Sequence, residues 1–294
     1  MARGTMSDMP VKHLLILGGT TEARELARRV SLMMGKKVRV TTSLAGRRTT
    51  TPALAGEVRI GGFGGIEGMK TYIAENAVDL VIDATHPFAD QISDHANVAC
   101  AGVPVPRLQV VRPGWRMPPG ATVLEVDSLD GGAAILPRVA RRVFLTTGQG
   151  GLEAFSGLDD LWFLVRLMDA PKDPPPLTDF QLITGVPPFT IQGEQSLLTE
   201  HDIDTLVTKN SGGEGTEAKV IAAAEAGVTI ILIEHVMRFL LQLSKRVVIM
   251  HHGEKIYEGD SQALLTDRNV VEVYLGEGTA DRLQHMMAER AKNG

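Results

Sequence analysis

The sequence predicts an α/β protein built on parallel sheets, and three observations support this. Short apolar runs rich in β-branched residues alternate with amphipathic stretches at helical spacing along most of the chain. The 31 glycines, together with 4% aromatic residues, are typical of proteins in which many strands turn tightly into helices. Residues 111–121 hold three prolines and interrupt the alternation, so we predict a hinge there between two domains.

Each repeat of the alternation predicts one strand and its helix. In the first domain, 11–112, we predict strands over 13–17, 38–41, 58–60, 80–83 and 105–110, and helices over 21–34, 68–76 and 88–101. In the second domain, 113–234, we predict strands over 143–146, 162–167, 180–183, 206–208 and 229–233, a helix over 216–226 and a proline-rich loop over 170–176. Parallel strands in this pattern bring their carboxyl ends to one edge of a sheet.

Composition and charge exclude several functions. The net charge of −5 gives no electrostatic reason to expect nucleic acid or an anionic membrane as a partner. The single cysteine excludes a disulfide framework and argues against a thiolate metal site, so we expect no metal and a cytoplasmic location. No segment reaches the roughly 18 to 20 apolar residues of a membrane span, and residues 1–10 are interpreted as a leader.

A glycine turn follows the first strand. Gly18 and Gly19 stand directly before the predicted helix, where backbone N–H groups can bind a pyrophosphate. Thr20 and Thr21 can donate their hydroxyls to it or cap the helix. The alternative interpretation is an ordinary capped turn, since the full dinucleotide-binding fingerprint is not present.

The end of the second strand predicts which dinucleotide binds. An NAD enzyme usually has a carboxylate about 20 residues after the glycines, whereas an NADP enzyme uses arginine near that point. Here Ser43 and Arg47 stand in a segment without a carboxylate, which favours NADPH. The alternative is that Arg47 is a solvated loop charge. Gly62 and Gly64, after the third strand, predict a loop beneath the cofactor or a flexible turn.

Polar residues end three further strands. Asp83, Thr85 and His86 follow one strand of the first domain, and His86 is a candidate proton donor or a turn residue before proline. In the second domain, Gly148 opens a turn that resembles the first glycine turn. A further set of hydrogen-bond donors follows a strand of the second domain. Burying these donors without a ligand would cost free energy, so the set predicts a bound carboxylate or phosphate. The alternative is a solvated loop. This set consists of Lys209, Asn210, Ser211 and Gly212.

In their order along 12–228, these motifs resemble the precorrin-6A reductase family. The matching stretches are LGGTTEAR, TSLAGR, GGFGG, IDATHPFA, PRL with RPGW, LTTG and KNSGG. The resemblance implies two Rossmann-like domains with the cofactor and a tetrapyrrole, precorrin-6A, bound between them. It also implies hydride transfer from NADPH and protonation of a neighbouring carbon to give precorrin-6B.

The resemblance also suggests roles for individual residues. His86, Asp83 and Lys209 are candidates for proton donation or electrostatic stabilisation, with Thr85 in the cofactor site. Because the substrate carries many carboxylates, Arg107, Arg112 and Arg116 are candidate partners for them, beside the loop donors of the second domain. The chain departs from the family at Gln149 and Pro187. Whether the substrate contains cobalt, and the oligomeric state, stay open.

The last part of the sequence resembles a different family. Residues 230–237, 243–259 and 273–276 resemble the end of an ATP-binding subunit of a branched-chain amino-acid transporter, with His235 at its switch histidine. No phosphate loop precedes it, so we predict that 235–294 is an α+β appendage acquired by fusion, without activity. The alternatives are a reductase fold that binds dinucleotide without turnover and a transport-coupled nucleotide-binding protein.

Overall fold

The chain divides into two compact units. The computed structural model describes residues 12–46, 53–234, 246–251, 254–260, 267 and 270. Unit 1 is Met1–Val111 and unit 2 is Arg112–Gly294. The boundary falls inside the segment 111–121, where the prolines prevent a regular element from continuing.

Unit 1 contains a parallel sheet of five strands. The strands are β1 (Lys12–Leu17), β2 (Val38–Leu44), β3 (Glu57–Ile60), β4 (Leu80–Asp83) and β5 (Arg107–Gln109), and the helices are α1 (Thr21–Met34), α2 (Gly65–Glu75) and α3 (Asp90–Gly102). The strand order is β3-β2-β1-β4-β5, with every neighbouring pair parallel. This is the order of a Rossmann-like sheet, so the predicted fold class is confirmed for this unit.

The central strand β1 is buried on both faces. Leu15 and Leu17 pack into a cluster with Met69 of α2, which also contains residues of α3. Leu14, on the opposite face, packs with residues of α1. Because successive side chains of a strand point to opposite faces, one apolar run supplies the core of both helix layers.

Unit 2 repeats this arrangement and adds one strand. The strands are β6 (Val123–Val126), β7 (Arg142–Leu145), β8 (Trp162–Leu167), β9 (Phe180–Thr184), β10 (Thr205–Lys209) and β11 (Thr229–Ile233), and the helices are α4 (Leu129–Val139), α5 (Ile191–Glu200) and α6 (Ala218–Glu225). The order is β6-β11-β10-β7-β8-β9, with every pair parallel. Five of these strands therefore have the same order as in unit 1, with β6 beyond β11.

Among the strands and α-helices of the second predicted domain, 113–234, β6, α4 and α5 were not predicted. The helical pattern of α4 is obscured because Gly131 and Gly132 lie near its start and Pro137 near its end. The helix begins where the Ser128 hydroxyl accepts a hydrogen bond from the Gly131 N–H at 3.0 Å. At the start of α5, the Thr190 hydroxyl caps the helix in the same way.

The predicted C-terminal region is described only in part. A hairpin of β12 (Arg246–His251) and β13 (Glu254–Asp260) is antiparallel. Val247 and Ile249 are buried on one face of β12 and pack with Val270. His235 and most of the predicted appendage lie outside the described residues. The strand β11, predicted to complete the reductase sheet, does so between β6 and β10.

The described part of the chain lacks two kinds of feature. It contains no helix that combines the length and the apolar character needed to cross a bilayer. The same residues contain no cluster of three or more histidine, cysteine, aspartate or glutamate side chains placed to hold a metal ion.

The single cysteine, Cys100, lies in the core of unit 1. Burial raises the pKa of its thiol to about 11. We expect the folded protein to react with Ellman's reagent at about pH 8 only very slowly, because roughly a thousandth of the thiol is then thiolate. In denaturant, one thiol per chain should react promptly. Rapid modification of the folded protein would contradict this assignment.

Candidate functional site

In unit 1, β2 and β3 lie on one side of β1, whereas β4 and β5 lie on the other side. The strand order therefore reverses between β1 and β4. The carboxyl ends of these two strands lie side by side, and such a point is where open α/β sheets bind ligands. Gly18 follows β1, and Thr85 follows β4. The Ala84 N–H donates to the Leu17 carbonyl at 3.0 Å, which joins the two strand ends. The structure therefore brings the glycine turn, Thr85 and His86 to one edge.

Gly18 and Gly19 are required for different reasons. A Cβ on Gly18 would lie 2.8 Å from the Cγ2 of Thr42, so even alanine does not fit without a shift. Gly19 has a φ of +118°, and the space beside its Cα is open. The turn is therefore closely packed at Gly18 and open at Gly19. The open side lies at the start of α1, where a pyrophosphate can approach the backbone.

The hydroxyl of Thr20 is already engaged. It accepts a hydrogen bond from the Ala23 N–H at 3.1 Å and donates one to the Ala84 carbonyl at 2.6 Å. Thr20 therefore caps α1 and fastens the glycine turn to the end of β4. The neighbouring Thr21 is exposed at the first position of the helix.

Arg59 was not identified from the sequence, although it organises the same edge. It lies opposite Ser43 in the β2–β3 register, and its Nη1 donates to the Ser43 hydroxyl at 3.3 Å. The guanidinium also donates to the carbonyls of Gly61 and Gly62, at 2.5 and 2.8 Å. It lies 3.8 Å from the ring centroid of Phe63. Arg59 thus holds the glycine loop that was predicted to pass beneath the cofactor.

Three further residues were predicted to bind the cofactor, namely Gly62, Gly64 and Arg47. Gly64 adopts a left-handed conformation, with φ at +81°, immediately before α2. Both Gly62 and Gly64 are exposed, with open space where a Cβ would stand. Arg47 lies outside the described residues.

Asp83 and Arg107 bind each other inside unit 1. The Oδ2 of Asp83 lies 3.0 Å from the Nη1 of Arg107, and the two side chains are 1% and 8% exposed. The other carboxylate oxygen accepts a hydrogen bond from the Thr85 hydroxyl at 2.7 Å. With both oxygens occupied, Asp83 is suited to fixing Thr85 and Arg107 in place. This pairing gives both residues a positioning role, while the catalytic role predicted for Asp83 and the substrate-binding role predicted for Arg107 stay predictions.

His86 is exposed at the same edge. Its Nδ1 accepts a hydrogen bond from the Phe88 N–H at 3.2 Å. In the neutral ring this assigns the proton to Nε2, which becomes a hydrogen-bond donor. The neutral ring can donate this N–H in a hydrogen bond, and the proton transfer predicted for His86 stays a prediction.

Unit 2 has a corresponding edge, where the order reverses between β7 and β10. Gly148, in the turn after β7, is exposed with a φ of +79° and open space beside it. The predicted donors Lys209, Asn210 and Ser211 lie at and after the end of β10. The structure thus places these predicted ligand residues at one edge, as the parallel strands require.

The loop over 209–213 is joined to the segment over 112–115 by several hydrogen bonds. The side-chain carbonyl of Asn210 accepts from the Trp115 N–H at 2.7 Å, and the Trp115 indole donates to the Gly213 carbonyl at 2.9 Å. Arg112 donates its Nε to the Ser211 carbonyl at 2.6 Å. A Cβ on Gly212 would lie 2.0 Å from a backbone oxygen, so this position requires glycine. Arg116, which directly follows the segment over 112–115, is exposed.

A pocket of 220 Å³ lies beside the turn that contains Gly148. Gln149, one of the two departures from the family pattern, lines it together with the prolines of the loop over 170–176. At the other departure, Pro187 precedes Phe189, whose ring centroid lies 3.8 Å from the Arg166 guanidinium.

Arg166, Glu194 and Lys219 form a buried charged cluster that was not identified from the sequence. The three residues are 8%, 2% and 5% exposed. Arg166 and Glu194 form an ion pair. Burial lowers the pKa of Lys219 to about 7, the charge of Arg166 acts in the same direction, and that of Glu194 opposes them.

The strand order of unit 1, and the glycine turn that follows β1 where this order reverses, define a Rossmann-like dinucleotide-binding protein. Residues 13–250 match the family model described as Precorrin-6x reductase CbiJ/CobK. The chain therefore belongs to this family of oxidoreductases, and the prediction made from the ordered motifs is confirmed.

Individual relatives agree with this assignment. A precorrin-6A reductase of Mycobacterium tuberculosis (strain H37Rv) is 42% identical over 222 residues, which cover 75% of this chain and 88% of that protein. The cobalt-precorrin-6A reductase of Salmonella typhimurium is 30% identical over 237 residues, covering 75% and 86%. The solved structure of a CobK precorrin-6A reductase has a TM-score of 0.70 and 41% identity, covering 76% and 87%.

The family match also changes the boundary drawn from the sequence. It extends to residue 250, whereas the motifs end at 228 and the transporter-like region was predicted to follow. Part of that region thus aligns with the reductase family, and these matches give no support to the transporter resemblance.

Proposed function

We propose that this protein uses NADPH to reduce one ring double bond of precorrin-6A, giving precorrin-6B in cobalamin biosynthesis. One observation carries the proposal. The match to the reductase family spans both sheets. The glycine turn after β1 is, in addition, open to a ligand at Gly19. We also propose a cytoplasmic location, in keeping with the single cysteine.

The edge of unit 1 fits a dinucleotide. Gly19 leaves open space at the start of α1 for a pyrophosphate, and Gly62 and Gly64 leave open space in the next loop. Ser43 stands at the end of β2, where an NAD enzyme would usually present a carboxylate. With Arg47 nearby in the sequence, this segment favours the 2′-phosphate of NADPH. When bound, the cofactor supplies the hydride.

The residues of unit 2 fit an anionic substrate. Arg112, Arg116 and Lys209 supply positive charge, and Asn210, Ser211, Gly212 and Gly148 lie at the edge where ligands bind. We assign proton donation to His86 in its protonated form, which leaves the neutral imidazole. We assign the stabilisation of negative charge to Lys209. Asp83 orients Thr85 and Arg107.

The metal-free form of the substrate is favoured by one comparison. The chain is more similar to the mycobacterial relative named precorrin-6A reductase than to the Salmonella relative named for cobalt-precorrin-6A. We therefore propose metal-free precorrin-6A as the preferred substrate.

The function is tested by incubating the purified protein with NADPH and either precorrin-6A or its cobalt form. We expect loss of NADPH absorbance and a product heavier by two hydrogen atoms, faster with the metal-free substrate. Dinucleotide binding without turnover would support an inactive reductase fold instead. Binding of ATP but of neither dinucleotide would refute the proposal.

Arg47→Ala tests the cofactor assignment. We expect the Kd for NADPH to rise about tenfold, because one charge-assisted hydrogen bond to the 2′-phosphate is lost. The Kd for NADH should not change, since NADH has no such phosphate. Arg28→Ala, which removes an exposed arginine of α1, is the matched control and should affect neither cofactor. Equal weakening of both cofactors by Arg47→Ala would argue against a 2′-phosphate contact.

A further inference from the structure

Lys219 is a buried lysine whose ammonium contacts a backbone carbonyl and an aromatic ring. It lies in the first turn of α6 and is 5% exposed. Its Nζ donates to the Thr216 carbonyl at 3.0 Å and lies 4.5 Å from the ring centroid of Trp115. Among the described residues, no carboxylate oxygen lies within ion-pair distance of it. Burying an ammonium in this way is unfavourable, and an apolar side chain of similar length would avoid the penalty.

Lys219 contacts Trp115 and Thr216, and both residues hold the loop over 209–213 in place. Trp115 binds this loop twice, through the Asn210 side chain and the Gly213 carbonyl. Thr216 ends the short turn that links the loop to α6. The ammonium therefore contacts both sides of the loop support.

The packing around the loop leaves little freedom. A Cβ on Gly114 would lie 2.3 Å from the Asn210 amide nitrogen, so the segment before Trp115 is in close contact with the loop. A shift of Trp115 would therefore move Asn210. The contact between the ammonium and the aromatic ring is stronger when the lysine is charged.

We propose that Lys219 is a positioning residue for the substrate, whose positive charge holds Trp115 and the loop over 209–213 in the shape that presents Lys209, Asn210 and Ser211 to a substrate carboxylate. This inference rests on the proposed function. When Lys219 loses its proton, the contact with the Trp115 ring weakens and the loop loosens, so affinity for the substrate depends on pH.

The charged groups facing Lys219 are Arg166 on β8 and Glu194 on α5. Burial and Arg166 lower the pKa of Lys219 to about 7, against the opposing effect of Glu194. The lysine therefore binds its proton less tightly in the folded protein than in the unfolded chain. Its contribution to stability accordingly rises with pH from about 7 towards the ordinary value of 10.5. The affinity for the substrate is expected to fall as the pH rises. A lysine that only stabilised the fold would not cause this fall.

The test measures KM for precorrin-6A and for NADPH on both sides of this pKa, in the wild type, Lys219→Arg and Lys219→Met. As the pH rises, we expect the wild-type KM for precorrin-6A to increase about tenfold, from the lost ring contact and weakened hydrogen bond. Lys219→Arg should keep the low KM, because its guanidinium stays charged. Lys219→Met should have the high KM at every pH. The KM for NADPH should not vary between the variants.

A wild-type pH profile in Lys219→Met would overturn the inference, whereas absence of precorrin-6A turnover in the wild type would refute the proposed function instead. A second measurement needs no substrate. Trp162→Phe leaves Trp115 as the single tryptophan, and its fluorescence should change with a midpoint near the pKa of Lys219. A signal that does not change there would also overturn the inference, even if Lys219→Met does not fold.

Discussion

Gly19→Val is expected to weaken NADPH binding by about a hundredfold, which corresponds to roughly 2.7 kcal/mol. Two effects add. The valine side chain would occupy the open space above the turn, and the strain of a β-branched residue at a φ of +118°, roughly 1–3 kcal/mol, would displace the turn from the position that binds the pyrophosphate. Fluorescence titration with NADPH measures the change.

The control for this substitution is Gly35→Val. Gly35 also has a positive φ, +54°, and open space beside it, but it lies at the other end of α1. Both variants should lose stability to urea, whereas Gly19→Val alone should lose affinity for NADPH. Equal affinities in the two variants would mean that the glycine turn does not contact the cofactor.

Glu194→Met is expected to lower the free energy of unfolding by about 3–5 kcal/mol, because it leaves the buried Arg166 guanidinium without its partner. Urea denaturation should show this as a lower midpoint with an unchanged slope. Combining it with Arg166→Met should recover much of the loss, since apolar pairs often replace buried ion pairs without penalty.

Glu25→Gln provides the surface control for that experiment. Glu25 forms exposed ion pairs with Arg28 and Arg29 on α1, and pairs of this kind contribute little to stability. The denaturation midpoint should therefore not change. If the double variant at Arg166 and Glu194 were no more stable than Glu194→Met, the ion pair would not explain the loss.

The sheet of unit 1 was predictable because each of its signals is local. The helix α1 has the predicted bounds, since Thr20 caps it and Gly35 ends it. The glycine turn follows from the same adjacency of strand, glycines and helix. By contrast, α4 was not predictable from periodicity, because its glycines and proline disguise a helix that packing stabilises.

Contacts between distant residues limited the prediction of the site. Arg59 meets Ser43 only through the register of β2 and β3. Asp83 and Arg107 were each given a chemical role, but the fold pairs them across neighbouring strands. For Lys219 a signal was present, because Ala222 and Ala223, three and four residues later, mark the buried face of α6.

The strand order of unit 2 affects how the protein folds as it is synthesised. All five strands of unit 1 precede residue 110, so this sheet can form early. In unit 2, β6 is made first, and its one partner among the described strands is β11, the last strand of the sheet to leave the ribosome. Until Ile233 has emerged, β6 has no neighbour and β10 presents an open edge. The nascent chain is therefore most vulnerable to aggregation, and most in need of a chaperone, during this interval.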